Sequence, residues 1–238
     1  MTPYLLTGLV YLLAGFTQGY TGFGSALIAI PLLTLFLDLK VAVPVSVLAG
    51  LAITSILALA LRRNLERRKL MPLILGALPG VVLGVFVLHK LPGDLLRILL
   101  GGLLIAYSMF GLLFRLPRRR LHVTWAYFAG FGSGLLGSTL STIGPPAIVY
   151  TSLTPWSRDQ IKATLSGFFL AGTAAVACAH AFTGLITWPV LALSSAACPA
   201  LLLGVSLGLW VSKRSVDQDY RRVVLVLLIA MGLGMFVG

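Results

Sequence analysis

The sequence is short of acid: Asp and Glu together number 6 in 238 residues, against 18 Lys and Arg. All of the acids, Asp38, Glu66, Asp94, Asp159, Asp217 and Asp219, fall at the ends of apolar runs or between them. A buried carboxylate relay for protons therefore finds no support. Charged residues of both signs make up only 10% of the chain and 58% is hydrophobic. The mean hydropathy of +1.01 is far above what a water-soluble domain tolerates. Cysteine is scarce too: Cys178 and Cys198 both sit inside apolar runs with no metal-ligand spacing, and they read as small core residues rather than a disulfide or metal site. The H-E-x-x-H, G-x-S-x-G and P-loop patterns are absent, so neither an enzyme nor a bound cofactor is indicated. No Lys or Arg precedes the first apolar run, so it lacks the basic n-region of a cleavable signal peptide and is expected to stay.

What is present is apolar length. Runs occupy 4–37, 41–61, 71–88, 95–114, 122–153, 160–186, 188–211 and 223–237. The net charge of +12 is carried in the short segments between them, as in cytoplasmic membrane loops, and not on a nucleic-acid-binding face. The chain thus reads as an all-α polytopic membrane protein. Two runs are too long for one crossing: as a single helix, 4–37 would reach about 51 Å against a hydrocarbon core of about 30 Å. Its density of Gly and Thr predicts a break between Gly19 and Ser25, and 122–153 should break near GSTLSTIGPP.

The two long runs also match each other. Ala14, Gly15, Phe16, Gly19 and Gly22 recur as Ala129, Gly130, Phe131, Gly134 and Gly137 at an offset of 115, and Pro31 recurs as Pro146. Further on, Pro72 pairs with Pro189, the A-x-P-x-x-x-L-G of Ala77 to Gly84 with that of Ala197 to Gly204, and Asp94 and Arg97 with Asp219 and Arg222. The unbroken order predicts a duplication, 1–120 and 121–238. If each long run enters and returns as a re-entrant hairpin of two short helices, each half adds three spanning helices and the repeats are inverted. That arrangement puts Arg62, Arg63, Arg67 to Lys69, Arg115, Arg118 to Arg120, Arg158, Lys162, Lys213, Arg214, Arg221 and Arg222 inside. Only Lys40, Lys90 and Arg97 remain outside, as the positive-inside rule prefers. Both termini would then be outside. The small-residue pairs Gly80 with Gly84 and Gly204 with Gly208 are expected to pack helices within the molecule, with a homodimer as the other use.

A helix opened at membrane depth survives only against protein or around an aqueous cavity. Two inverted hairpins would meet tip to tip near the midplane, presenting helix N-termini and glycine-exposed N–H groups to a small anion. The candidate binding residues are Gln18, Gly19, Thr21, Gly22, Gly24 and Ser25 in the first tip, with Thr17 beside them. In the second they are Ser133, Gly134, Gly137, Ser138, Thr139, Ser141 and Thr142. Each hydroxyl has a plainer use, bonding back to its own helix or to a neighbour. Lys162 is a candidate cationic attractor whose plainer use is to snorkel to the interface. His180, near an outer helix end, reads as a satisfied interfacial histidine rather than a proton carrier.

With these hairpins, trailing prolines and a basic mid-chain loop, the sequence resembles the TauE/SafE family of bacterial sulfite and organosulfonate exporters. The resemblance is carried by GFTQGYTGFGSALIAIP, GFGSGLLGSTLSTIGPPAIVY and RDQIKATLSGFF. It implies a multi-pass permease of the bacterial cytoplasmic (inner) membrane that moves small sulfur-containing anions such as sulfite. The family often carries Arg where Lys162 stands, which keeps the charge but loses the bidentate fork. Two rivals keep the same architecture, an anion channel and a non-transporting membrane scaffold. With no carboxylate relay, export of an anion could run on the membrane potential, at about 2.3 kcal/mol per charge per 100 mV.

Overall fold

In lipid every backbone N–H and C=O must find a partner, and a helix satisfies them within one segment. The computed structural model describes residues 2–61, 66–113, 121–212 and 218–236, which form helices and no strand. In order they are α1 (Thr2–Thr21), α2 (Ser25–Leu33), α3 (Leu39–Leu61), α4 (Arg67–Lys90), α5 (Gly93–Leu113), α6 (Thr124–Leu140), α7 (Gly144–Leu153), α8 (Arg158–Phe182), α9 (Trp188–Ser212) and α10 (Gln218–Gly234). Five of these are long and apolar enough to cross a membrane: α3, α4, α5, α8 and α9. Their outer faces expose Val82, Phe86, Leu203 and Leu207 among many other large apolar side chains, a surface that fits acyl chains and not water. Arg62, Arg63, Arg115, Arg118 to Arg120, Lys213 and Arg214 lie outside the described residues.

Both long runs break where the sequence predicts. The first ends with Gly22 N donating to Gln18 O at 2.7 Å. Gly22 and Gly24 then take φ of 88° and 98°, a region that residues with a Cβ enter only at a cost. The second is capped by Ser141 in the same left-handed region, φ 53°, and α7 restarts on Pro145 and Pro146. A proline loses nothing in a first turn, where its missing N–H would lack an intrahelical acceptor anyway. Both short helices fold back on their stems. Ala147 N donates to Ser133 Oγ at 3.1 Å, while Ala29 and Leu33 of α2 share a buried cluster with Val10, Tyr11 and Ala14 of α1.

The stems are locked by glycine to helices of the other half. Added Cβ atoms at Gly204 and Gly208 would strike the carbonyls of Leu12 and Phe16 in α1, and those at Gly76, Gly80 and Gly84 the carbonyls of Tyr127, Phe131 and Leu135 in α6. In each pair the contacts advance together along the chain, so α1 runs parallel to α9 and α6 parallel to α4. The starts of α4 and α8 lie together, since Gln160 Nε2 donates to Glu66 Oε1 at 2.7 Å, and α9 turns back after α8. Hence α1 and α6 enter the bundle from opposite ends. At one end Lys40 Nζ donates to His89 O at 3.4 Å; at the other Lys69 pairs with Glu66 at 2.9 Å.

Several expectations need correction. The hairpin arms are unequal, since α1 has 20 residues and α2 has 9. Nor do the tips meet end to end. Gly19 abuts Val205 and Leu209 near the end of α9, and Gly84 abuts Ser138 and Thr139 near the end of α4, so each tip passes the middle of its partner helix and the two overlap side by side. An offset of 115 would start α7 at Leu140, yet it starts at Gly144, one turn later. The sequence match aligns Gly19 with Gly134, which serve packing, whereas different residues make the two breaks. The cysteines are not core residues: both are free, Cys178 exposed and Cys198 half-buried. A helix that is apolar all round gives no periodicity to separate its core side from its lipid side. The paired glycines Gly80, Gly84, Gly204 and Gly208 do pack within the molecule.

Candidate functional site

The first break places Gln18 at the end of one stem and Ser25 at the start of its return helix. Ser25 Oγ donates to Gln18 Oε1, which orients the amide and leaves its N–H groups for another acceptor. Beyond them, the first-turn N–H groups of α2, on Ser25, Ala26 and Leu27, have no acceptor within their own helix. All of these residues line a cavity of about 50 Å³. One buried water needs roughly 10–15 Å³ of such space, so the cavity suits a few waters or an ion of about four heavy atoms.

The opposite wall is the second break, Ser141 to Pro145. Here Thr142 Oγ1 makes a long bond of 3.5 Å to Leu136 O. The prolines at 145 and 146 carry no N–H, and that of Ala147 is taken by Ser133. Ser141 N donates to Leu136 O, but the hydroxyls of Ser141 and Thr173 make no hydrogen bond among the described residues, so both are available to a ligand. Spanning the two breaks are α3, with Ser46, Gly50 and Thr54, and α8, with Phe169 and Thr173. Ser46 shares a 2.8 Å hydrogen bond with the buried hydroxyl of Tyr11, and Thr54 bonds back to Gly50 O at 2.8 Å. Among the described residues no charged side chain lines the cavity. Its polarity comes from neutral dipoles, the N-terminus of α2 with the Gln18 amide and a ring of hydroxyls.

Of the candidates named from sequence, the structure brings Gln18, Gly24, Ser25, Ser141 and Thr142 to the cavity. The others sit elsewhere. Thr21 staples the first break, donating to Thr17 O at 2.8 Å and accepting from Phe23 N at 3.3 Å, and it lines a smaller neighbouring cavity. Gly22 supplies the turn itself. Gly19 and Gly134 face the backbones of α9 and α4, and Gly137 faces Ile143. Ser133 holds α7 to its stem. Ser138 donates to Gly134 O at 2.9 Å, and Thr139 to Gly84 O at 3.0 Å. Thr17 is buried and donates to Leu13 O at 3.0 Å. Lys162 is exposed near the start of α8, two turns before Phe169.

Sequence reasoning missed Phe23, Ser46, Gly50, Thr54, Phe169 and Thr173. One signal was there to read: Ser46, Gly50 and Thr54 recur every four residues in an otherwise apolar helix, a polar stripe along one face. His180 also differs from its expected interfacial role. It is completely buried, with Nε2 at 2.9 Å from Ser138 O.

Broken helices survive in lipid only against protein or around an aqueous cavity, and with the apolar spans they define the class, a polytopic membrane transport protein. The chain belongs to the TauE/SafE family: the model described as "Sulfite exporter TauE/SafE" matches residues 7–235. It is therefore a multi-pass protein of the bacterial inner membrane. The "Probable sulfite/organosulfonate exporter TauE" of Cupriavidus necator is 28% identical over 236 residues, 95% of this chain and 92% of that protein. No solved structure matches the chain.

Proposed function

We propose that the protein exports a small sulfur-containing oxyanion, sulfite or a short organosulfonate, through the cavity between the two breaks. The observation that carries this reading is the lining: an oriented amide, several hydroxyls and the free first turn of α2, with no charged side chain among the described residues. Neutral donors can replace part of an anion's hydration without bringing a full charge into the bilayer. They also offer no acid to a cation. Because partial charges compensate one negative charge better than two, the site favours a singly charged oxyanion over sulfate. The substrate named for the Cupriavidus necator relative is of this class.

The reading includes two inverted repeats, 1–120 and 121–238, with the loops rich in Lys and Arg facing the cytoplasm. It is supported by stems that enter from opposite ends and by the exchange of partners, α1 with α9 and α6 with α4. Glycine contacts on both surfaces of each pair make it a natural rigid body. Alternating access is then motion of one pair against the other across α3 and α8.

The test is flux of methanesulfonate and hydrogensulfite, which carry one charge, against the sulfite and sulfate dianions, doubly charged sulfoacetate and zwitterionic taurine, in proteoliposomes of the purified protein with and without an imposed potential. Saturable flux of a singly charged sulfur anion with little sulfate flux supports the reading. Folded protein that carries none of them overturns it.

A further inference from the structure

Among the described residues one histidine is fully buried outside the cavity. His180 lies three residues from the end of α8, completely buried. Its Nε2 faces a carbonyl, Ser138 O, at 2.9 Å. A carbonyl only accepts, so Nε2 carries the proton and the lone pair of the neutral ring is on Nδ1. That Nδ1 is itself buried with no hydrogen-bond partner among the described residues. A second proton would enter there.

Two connections tie this ring to the cavity. Ser138 stands three residues before Ser141, the left-handed residue that forms part of the cavity wall. Thr173, which also lines the cavity, is seven residues before His180 and so on the same face of α8. An imidazolium here would meet the C-terminal carbonyls of α6, which favour positive charge. It would also place a full positive charge two turns along α8 from a cavity otherwise lined by neutral donors. What opposes charging is first the burial of the ring itself, which disfavours the imidazolium, and then a few neighbouring groups. On α4 the titratable neighbour is His89, and on α3 it is Lys40, whose amine donates to the carbonyl of His89. From α6 and α7 come only Tyr127 and Tyr150, which lie toward the opposite end of the bundle.

Resting on the transport reading above, we infer that His180 is a proton-binding site linked to occupancy of the anion cavity, each ligand favouring the other. Linkage is reciprocal, so a proton that tightens anion binding is itself held more tightly when the anion is bound. Histidine is the side chain whose charge changes across the physiological range, and among the described residues no carboxylate lines the cavity.

The test uses methanesulfonate, whose charge is constant across the range, in proteoliposomes at zero potential from about pH 5.5 to 7.5. For the unmodified protein KM falls as pH falls, by up to about tenfold per unit, the limit for one linked proton. His180→Gln retains an N–H donor for Ser138 O but cannot titrate, and its KM is flat with pH. A flat profile in the unmodified protein, or an equally steep one in the variant, overturns the inference. Should the variant fail to fold, side-chain 15N-labelled unmodified protein answers directly. The Nδ1 resonance of His180 titrates in this range and shifts with methanesulfonate, and a resonance that does neither overturns the inference. If the folded protein carries neither methanesulfonate nor sulfite at any pH, the transport reading falls first and this one with it.

Discussion

The two breaks look like copies in the sequence, but they are built from different parts. The first is opened by glycines at positive φ and leaves three first-turn N–H groups and an oriented glutamine facing the cavity. The second is opened by a serine at positive φ and restarts on two prolines, which remove most of the donors its first turn would offer. Its remaining polar groups largely hold it in place: Ser133 to α7, Thr139 to α4 and the Ser138 carbonyl to α8. On the proposed reading the first tip is therefore the anion-binding half of the site and the second is the anchored wall against which it works. If the halves are the proposed duplication, the scaffold keeps its symmetry and the cavity lining departs from it.

The strongest way to break this comparison is to attack what the halves share. Gly19 and Gly134 each face backbone atoms of the partner helix, which, unlike side chains, cannot turn aside. Gly19→Leu and Gly134→Leu should each cost more than the roughly 1–3 kcal/mol of ordinary overpacking. Neither should give monodisperse protein by size-exclusion chromatography in detergent. If either variant were folded and lost only transport, the packing role would be wrong for that stem.

Next in size is the asymmetry of binding. Gln18→Ala removes an oriented amide and strands Ser25 Oγ, so KM should rise about tenfold, the equivalent of about 1.4 kcal/mol. Thr142→Ala removes a hydroxyl already directed at Leu136 O and should change KM less than about threefold. Equal effects in a saturable flux assay would make the two tips equivalent after all.

Smaller still is the difference in backbone strain. At Gly24, φ is 98° and an added Cβ meets nothing within 4 Å, so Gly24→Ala should lose stability by about 1–2 kcal/mol through conformation alone. Ser141→Gly removes a Cβ from the same region and should be neutral or gain up to about 1 kcal/mol. Thermal unfolding in detergent reads both, and a loss on Ser141→Gly would point to the hydroxyl rather than the backbone as what holds that turn.

Much of the fold was legible because lipid makes the rules strict. Apolar length gave the helices, and an over-long run dense in Gly, Ser and Thr gave each break to within a few residues. The site was half legible. Gly and Ser near a break were correctly associated with it, but Gly19 and Gly134 serve packing while Gly24 faces the cavity, and spacing does not distinguish these uses. The walls contributed by α3 and α8 were hidden for another reason. Thr173 and Phe169 reach the cavity only because α8 crosses between hairpins far from it in sequence.

The smallest effect concerns the residue that charge alone made attractive. Lys162 is a cation in the apolar run that follows the second motif, where charge alone would place a partner for an anion. Yet it is exposed near the start of α8, at the end of the bundle where Gln160 meets Glu66, while the cavity is reached by α8 only from Phe169 onward. A charge at that distance, in contact with water, is screened within about 8 Å at physiological ionic strength. Lys162→Gln should therefore alter KM for a sulfur anion by less than about twofold and lose most of that change in high salt. A larger effect that survives high salt would mean that α8 carries this lysine to the anion in another state of the transport cycle. The first tip would then share its role with the second half.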